Sequence, residues 1–228
     1  MEIQGLQKLT LLDFPGHVAC TVFLAGCDFR CPFCHNSELI GAAPALMDDK
    51  ELLAFLKKRQ GVLEGVAFTG GEPALRPELP GLLREIRALG YPVKLDTNGN
   101  HPDALQAMLE EGLLDYVAMD IKNSPEKYAR TIGLPYFDVS GVEKSMQLLR
   151  ESGIDYELRT TVVAEYHDDD SFRAIGPWIR GAKRYFLQCF TDRDTVLQGG
   201  LHAPEKADME RWAEMVRPYV GQAELRGV

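Results

Sequence analysis

The chain has 228 residues, 45% of them hydrophobic and 26% charged, with a net charge of −9. This is the composition of an ordinary globular protein, and its acidic balance disfavours a general nucleic-acid binder, which must neutralise phosphates. No stretch approaches the ~18 continuous apolar residues of a membrane span, and MEIQGLQKLTLLDFPG lacks the regions of a signal peptide. A soluble, cytoplasmic chain forming a single domain over residues 1–228 is expected.

In chain order, HVACTVFLAG (His17 to Gly26) is apolar and β-branched, as a buried strand is. From Asp48 to Gln60 the pattern is amphipathic, with Leu52, Leu53 and Leu56 on one side and a basic end suited to a helix C-terminus. GVAFTGG predicts a short strand running into a glycine turn. A helix over Pro77 to Leu89 ends at Gly90, and PVKLDTNG predicts the next strand. Pro102 to Glu111 predicts a helix, DYVAMDIK a strand, and Val139 to Ser152 a helix. DYELRTTVV is a strand, Asp168 to Arg180 a helix whose DDD start suits the positive N-terminal end, and KRYFLQCF a sixth strand. A helix over Pro204 to Val216 closes the chain.

Six alternating strand–helix units predict a parallel sheet wrapped by helices. The chemically suggestive residues fall at successive strand C-terminal ends: Cys27, then Gly70-Gly71-Glu72-Pro73, then Asp96-Thr97-Asn98-Gly99, then Asp120 and Lys122. An open doubly wound sheet gathers its site at one switch point, whereas a barrel draws on many strands. The spread predicts an α/β fold of the partial (β/α)6 TIM-like barrel type, with the site at the C-terminal ends of the strands.

Three of five cysteines lie within CDFRCPFCHN, as Cys27-x-x-x-Cys31-x-x-Cys34. An odd, clustered set suits a metal centre in a reducing compartment better than a disulfide framework. Cys20, mid-strand, and Cys189, ending the sixth strand, are expected in the core. The local chemistry leaves two readings of the cluster. One is a zinc site with His35 as fourth ligand. The other is an iron–sulfur cluster held by three thiolates, with one iron left open.

The spacing, with Phe33 before the last cysteine, resembles the radical S-adenosylmethionine (SAM) superfamily, and Thr69-Gly70-Gly71-Glu72-Pro73 resembles its GGEP turn. LLDFPG, CxxxCxxCHN, TGGEP, LDTNG and MDIK together resemble the glycyl-radical-enzyme activases. KLDTNG, VAMDIK and RTTVV carry a finer likeness to stand-alone activating proteins of anaerobic ribonucleoside-triphosphate reductase.

The resemblance implies a [4Fe-4S] cluster on Cys27, Cys31 and Cys34, with SAM on the open iron. It implies that Phe33 and His35 flank SAM, that Gly71 and Glu72 hold its methionine end, and that Asp120 and Lys122 lie near it. Asp96, Thr97 and Asp120 match residues that bind a monovalent cation in some activases. The partners implied are a glycyl-radical enzyme as protein substrate and a one-electron donor such as flavodoxin or ferredoxin. A radical SAM enzyme acting on a small molecule is the second reading.

Read locally, Asp96 to Gly99 is a strand ending in a turn with Gly or Asn at positive φ, and Asp120 with Lys122 is a same-face charge pair. Some activases place a histidine near the SAM adenosine, shortly after the fifth strand. Here His167 falls several residues earlier and is expected on an exposed loop, while His17, His101 and His202 are expected to be structural.

Overall fold

A computed structural model describes all of residues 1–228. After a two-residue strand β1 (Glu2–Ile3), which pairs antiparallel with β4 (Met47–Asp48), the chain builds one eight-stranded sheet. Its strands are β2 (Gly5–Thr10), β3 (Ala19–Leu24), β5 (Gly65–Gly70), β6 (Val93–Thr97), β7 (Tyr116–Asp120), β8 (Asp155–Val162), β9 (Arg184–Cys189) and β10 (Gln222–Arg226). The order is β10-β9-β8-β7-β6-β5-β3-β2, parallel throughout except for β2 against β3. With β2 and β10 at its two ends, the sheet is an unclosed, partial TIM-type barrel.

The helices are α1 (Asp49–Lys58), α2 (Leu79–Ala88), α3 (Pro102–Glu110), a short α4 (Tyr128–Thr131), α5 (Ser140–Glu151), α6 (Asp169–Trp178) and α7 (Lys206–Val216). Each long helix carries the spaced apolar stripe that sequence periodicity requires. Leu52 and Leu56 of α1, Leu82, Leu83 and Ile86 of α2, and Val142, Met146 and Leu149 of α5 are all buried. They belong to one continuous cluster of 48 buried residues. Each fully buried aliphatic side chain contributes about 1.5–3 kcal/mol, so this layer is the main driving force of the fold. The helix starts also follow local chemistry. Asp48 and Asp168 cap α1 and α6 through reciprocal capping boxes with Glu51 and Ser171.

The six predicted strands form, and so do the six long helices, within two residues at most boundaries. Sequence reading missed β2 and β10. Three of the six β2 residues are exposed, and Ala223 is the one buried residue of β10, so neither strand carries an apolar signature. Both are edge strands held by backbone pairing. The chain therefore does not end on a helix: α7 returns it to the sheet.

The inner face is unusually polar. Glu157 on β8 is 2% exposed, accepts two bonds from Arg226 of β10 at 2.7 and 2.9 Å, and accepts a third from the Tyr116 hydroxyl at 2.7 Å. Beside it the LLDFPG turn lines a second cavity through Leu11, Leu12, Asp13 and Pro15. Phe14 packs with Ala19, Tyr116 and Ala118, and Gly65 leaves the space its ring needs. Asp13 accepts a bond from Thr21 at 2.6 Å.

Candidate active site

The C-terminal ends of β3, β5, β6 and β7 open into one cavity of about 380 Å3. From β3 the chain enters the cysteine loop, whose two ends are zipped together. Gly26 N donates to Leu39 O at 2.8 Å and Cys27 N to Ile40 O at 3.0 Å. Cys27, Cys31 and Cys34 all line the cavity, as do Gly71, Glu72, Asp120 and Lys122. The Phe29 amide donates to Cys27 Sγ at 3.4 Å.

Burial pushes the Cys27 thiol up to about 12 and that of Cys31 to about 11, with Lys122 pulling the latter back, and it raises Cys34 as well. Such thiols need a bound cationic centre to become thiolates at neutral pH. No three His, Cys, Asp or Glu side chains converge as a single ion requires. Three soft donors spaced around one cavity fit a polynuclear iron–sulfur group.

The second turn presses against the first. Gly70 sits at φ +123°, and a Cβ there would overlap the Leu24 backbone; one at Gly71 would overlap the Gly26 carbonyl. The close approach is fixed by Gly71 N donating to Leu24 O at 2.8 Å and Glu72 N to Gly26 O at 2.7 Å. Glycine is the residue that permits this contact. Glu72, 1% exposed, already accepts from Ala74 N at 2.9 Å, Thr97 Oγ1 at 2.8 Å and Asn98 N at 2.6 Å. Burial raises its carboxyl to about 7 against these bonds. It lines the cavity and also ties the second turn to the third.

The third turn, after β6, reaches back to the cysteine loop. Asp28 accepts from Asn98 Nδ2 at 2.7 Å and Asn100 Nδ2 at 2.7 Å, and pairs with His101 Nε2 at 3.0 Å. Burial would raise this carboxyl, but the bonds from His101, Asn100 and Asn98 hold it down at about 2, while Asp28 raises His101. None of these four was marked as a site residue by sequence reading, although Asn98 stood within the LDTNG motif. The N-G-N-H run beside an acidic residue of the cysteine loop was the available signal. Gly99 supplies the positive φ, at +76°.

Behind these turns runs a half-buried chain of charges. Lys94 pairs with Asp96; Arg159 of β8 contacts Asp96 at 3.2 Å and Asp120 at 2.6 Å; Lys122 contacts Asp120 at 2.8 Å. Burial would raise both carboxyls, but Arg159 first, with Lys94 on Asp96 and Lys122 on Asp120, lowers them. Burial would lower Lys122, which Asp120 instead raises. The same-face pair read from DYVAMDIK is thus present. Of the residues matched to a cation site, Asp96 and Asp120 have a guanidinium between them, and Thr97 donates to Glu72.

Phe33 is buried against Tyr166, at a ring separation of 5.7 Å. His35 stacks on Phe190 at 5.5 Å, and its Nε2 engages Thr191 O at 2.7 Å. That engagement turns His35 towards a strap, residues 191–198, that lies over the cysteine loop. Ser37 donates to Thr195 O, and Gln198 N donates to Pro32 O at 2.9 Å.

His167 corrects the sequence expectation. It is 3% exposed, bonded through Nδ1 to the Val163 backbone and through Nε2 to Lys122 O at 2.9 Å. Burial lowers it to about 4, so it is a neutral strut supporting the Lys122 backbone. Its position after β8 could not reveal that the chain folds back there. Cys20 is wholly buried, and Cys189 is partly buried outside the cavity lining.

Comparisons with known proteins agree with this geometry. The sequence model of the Radical SAM superfamily matches residues 21–175. A Methanocaldococcus jannaschii protein named as a glycyl-radical enzyme activating enzyme is 25% identical over 235 aligned positions, covering 99% of this chain and 96% of its own. The pyruvate formate-lyase-activating enzyme of Clostridium pasteurianum is 32% identical over 128, covering 54% and 52%. Among solved structures, Streptococcus suis SuiB bound to its precursor peptide SuiA superimposes with a TM-score of 0.69 at 13% identity. That match covers 90% of this chain and 48% of SuiB, a likeness of fold.

Proposed function

Because the chain belongs to the radical SAM superfamily, we propose that it activates a glycyl-radical enzyme, anaerobic ribonucleoside-triphosphate reductase. The observation that carries this reading is one cavity shared by the three cysteines, the Gly71–Glu72 turn and Lys122. Cofactors of the superfamily are a [4Fe-4S] cluster and SAM. Cys27, Cys31 and Cys34 would hold the cluster, leaving one iron for the amine and carboxylate of SAM. Once loaded, the cluster and SAM would supply one-electron reductive cleavage and, through it, hydrogen abstraction from a glycine Cα of the partner, with the electron coming from an external donor.

The remaining work falls to the chain. Lys122, held cationic by Asp120, is suited to a substrate carboxylate. Gly71 keeps the second turn flush with the cysteine loop, and Glu72 fixes that turn to the third. Phe33 and His35 form the apolar and aromatic wall against which an adenosyl group can lie. Asp96, Thr97 and Asp120 would take a monovalent cation only if Arg159 moves aside. The unclosed sheet leaves the barrel flank open to a partner segment. No helix is long and apolar enough to cross a membrane. The five free thiols fit the reducing cytoplasm, where flavodoxin or ferredoxin would supply electrons.

The test is anaerobic reconstitution with iron and sulfide, followed by SAM and dithionite. 5′-Deoxyadenosine is expected, and its absence overturns the reading. A glycyl-radical EPR signal on the reductase from the same cell then identifies the partner. Nucleoside formation without that signal shifts the assignment to another glycyl-radical enzyme or to a small-molecule substrate.

A further inference from the structure

The Asp28 contacts have no counterpart among the roles assigned above. Asp28 follows Cys27 directly, and its carboxylate only accepts: Oδ1 from Asn98 and, at 4.0 Å, from the Cys27 thiol, Oδ2 from Asn100 and from His101. The three nitrogen donors lie within four residues of one turn. The side chain is 23% exposed, so the charge stands partly out of water beside the cavity, while the backbone on the other side of Cys27 is fixed to Ile40.

From this geometry, and resting on the cluster-bearing function proposed above, we infer that Asp28 is a positioning residue with a second effect. It locks the Cys27 end of the loop against the third turn and sets a fixed negative charge one residue from a cluster ligand, lowering the cluster's reduction potential. Net charge and hydrogen bonding around a cluster are the protein's main controls on its potential. A nearby anion opposes the added electron, so the reduced cluster is a stronger donor to a sulfonium that resists reduction. The Asn98 and Asn100 amides and the His101 ring offset part of that charge. The Cys27 position follows from the brace, and the potential follows from the charge.

Reconstituted wild type and Asp28→Asn are poised with mediators at the wild-type midpoint, and the reduced fraction is read by EPR together with iron content per chain. The expected result is unchanged iron and a reduced-to-oxidised ratio about tenfold higher in Asp28→Asn, equivalent to about 59 mV for a one-electron couple. Equal iron with a ratio within twofold of wild type overturns the inference, leaving Asp28 a brace alone. Should Asp28→Asn fail to hold iron, the Asn100→Ala/His101→Leu double variant decides. Stripping two donors while keeping the charge should lower the ratio at least threefold, and an unchanged ratio overturns the inference. Wild type that assembles no cluster overturns the function itself, an outcome separable from the other two.

Discussion

Arg159→Met removes the central cation of the half-buried charge chain while keeping most of the side-chain volume. In the wild type, Arg159 contacts Asp120 at 2.6 Å and Asp96 at 3.2 Å, with the three side chains 15–23% exposed. Breaking a buried pair by removing one partner costs about 3–5 kcal/mol, because the other charge is left behind. Here Lys94 still serves Asp96 and Lys122 still serves Asp120, which places the cost near the lower end, about 3 kcal/mol. For a chain of this size each kcal/mol moves the melting temperature by about 2–4 °C, so a drop of about 6–12 °C is expected.

The assay is thermal unfolding of cluster-free protein followed by circular dichroism, so that metal loading does not enter. The pH dependence gives a second reading of the same variant. Asp96 and Asp120 have lowered folded pKa values, so their stabilising contribution is present above the unfolded carboxyl range and is lost as pH falls. Without Arg159 those values rise, and acid unfolding begins at higher pH. A melting temperature within 2 °C of wild type would falsify the claim that this guanidinium holds the two carboxylates together.

Three further outcomes are expected. Cys31→Ala should bind little iron after reconstitution while Cys20→Ala binds as much as wild type; equal iron in the two would refute the ligand assignment. Gly71→Ala drives a methyl into the Gly26 carbonyl and should cost about 1–3 kcal/mol or more, whereas Gly81→Ala, on α2 with nothing within 4 Å, should gain about 0.5–1 kcal/mol. Urea titrations distinguish the pair, and a shared sign contradicts the packing argument. Asp28, held at about 2 against an ordinary 3.8, stabilises the fold above the ordinary value, and that contribution fades as pH falls towards 2. After allowance for solvent screening it amounts to about 1 kcal/mol, and the difference in urea stability between wild type and Asp28→Asn should shrink between pH 5 and about 2.

The parallel strands were legible because burial on both faces of a strand leaves apolar, β-branched runs such as CTVF and YVAM. The helices were legible from spaced leucines. The partial barrel followed from chemistry appearing at one strand end after another. The edge strands were hidden because GLQKLT and QAELR are stabilised by backbone pairing with β3 and β9, which side-chain patterning does not record. At the site, the cysteines and glycines announce themselves by spacing. Arg159 and Asp28 do not, since each acquires meaning only from partners distant in sequence: Arg159 from Asp120, 39 residues away, and Asp28 from Asn98, 70 away. His167 misled for the same reason: a polar loop sequence gives no sign that its imidazole turns inward to a carbonyl 45 residues earlier.

The strap over the cysteine loop bears on how the protein is made. Thr191 and Thr195 contact residues 156 and 158 positions earlier in the chain. At ordinary rates of synthesis, about 5–20 residues per second, the cysteine loop leaves the ribosome roughly 8–30 s before the strap that braces it exists. The order of the elements thus makes the outer support of the cysteine loop one of the last parts of the chain to be synthesised.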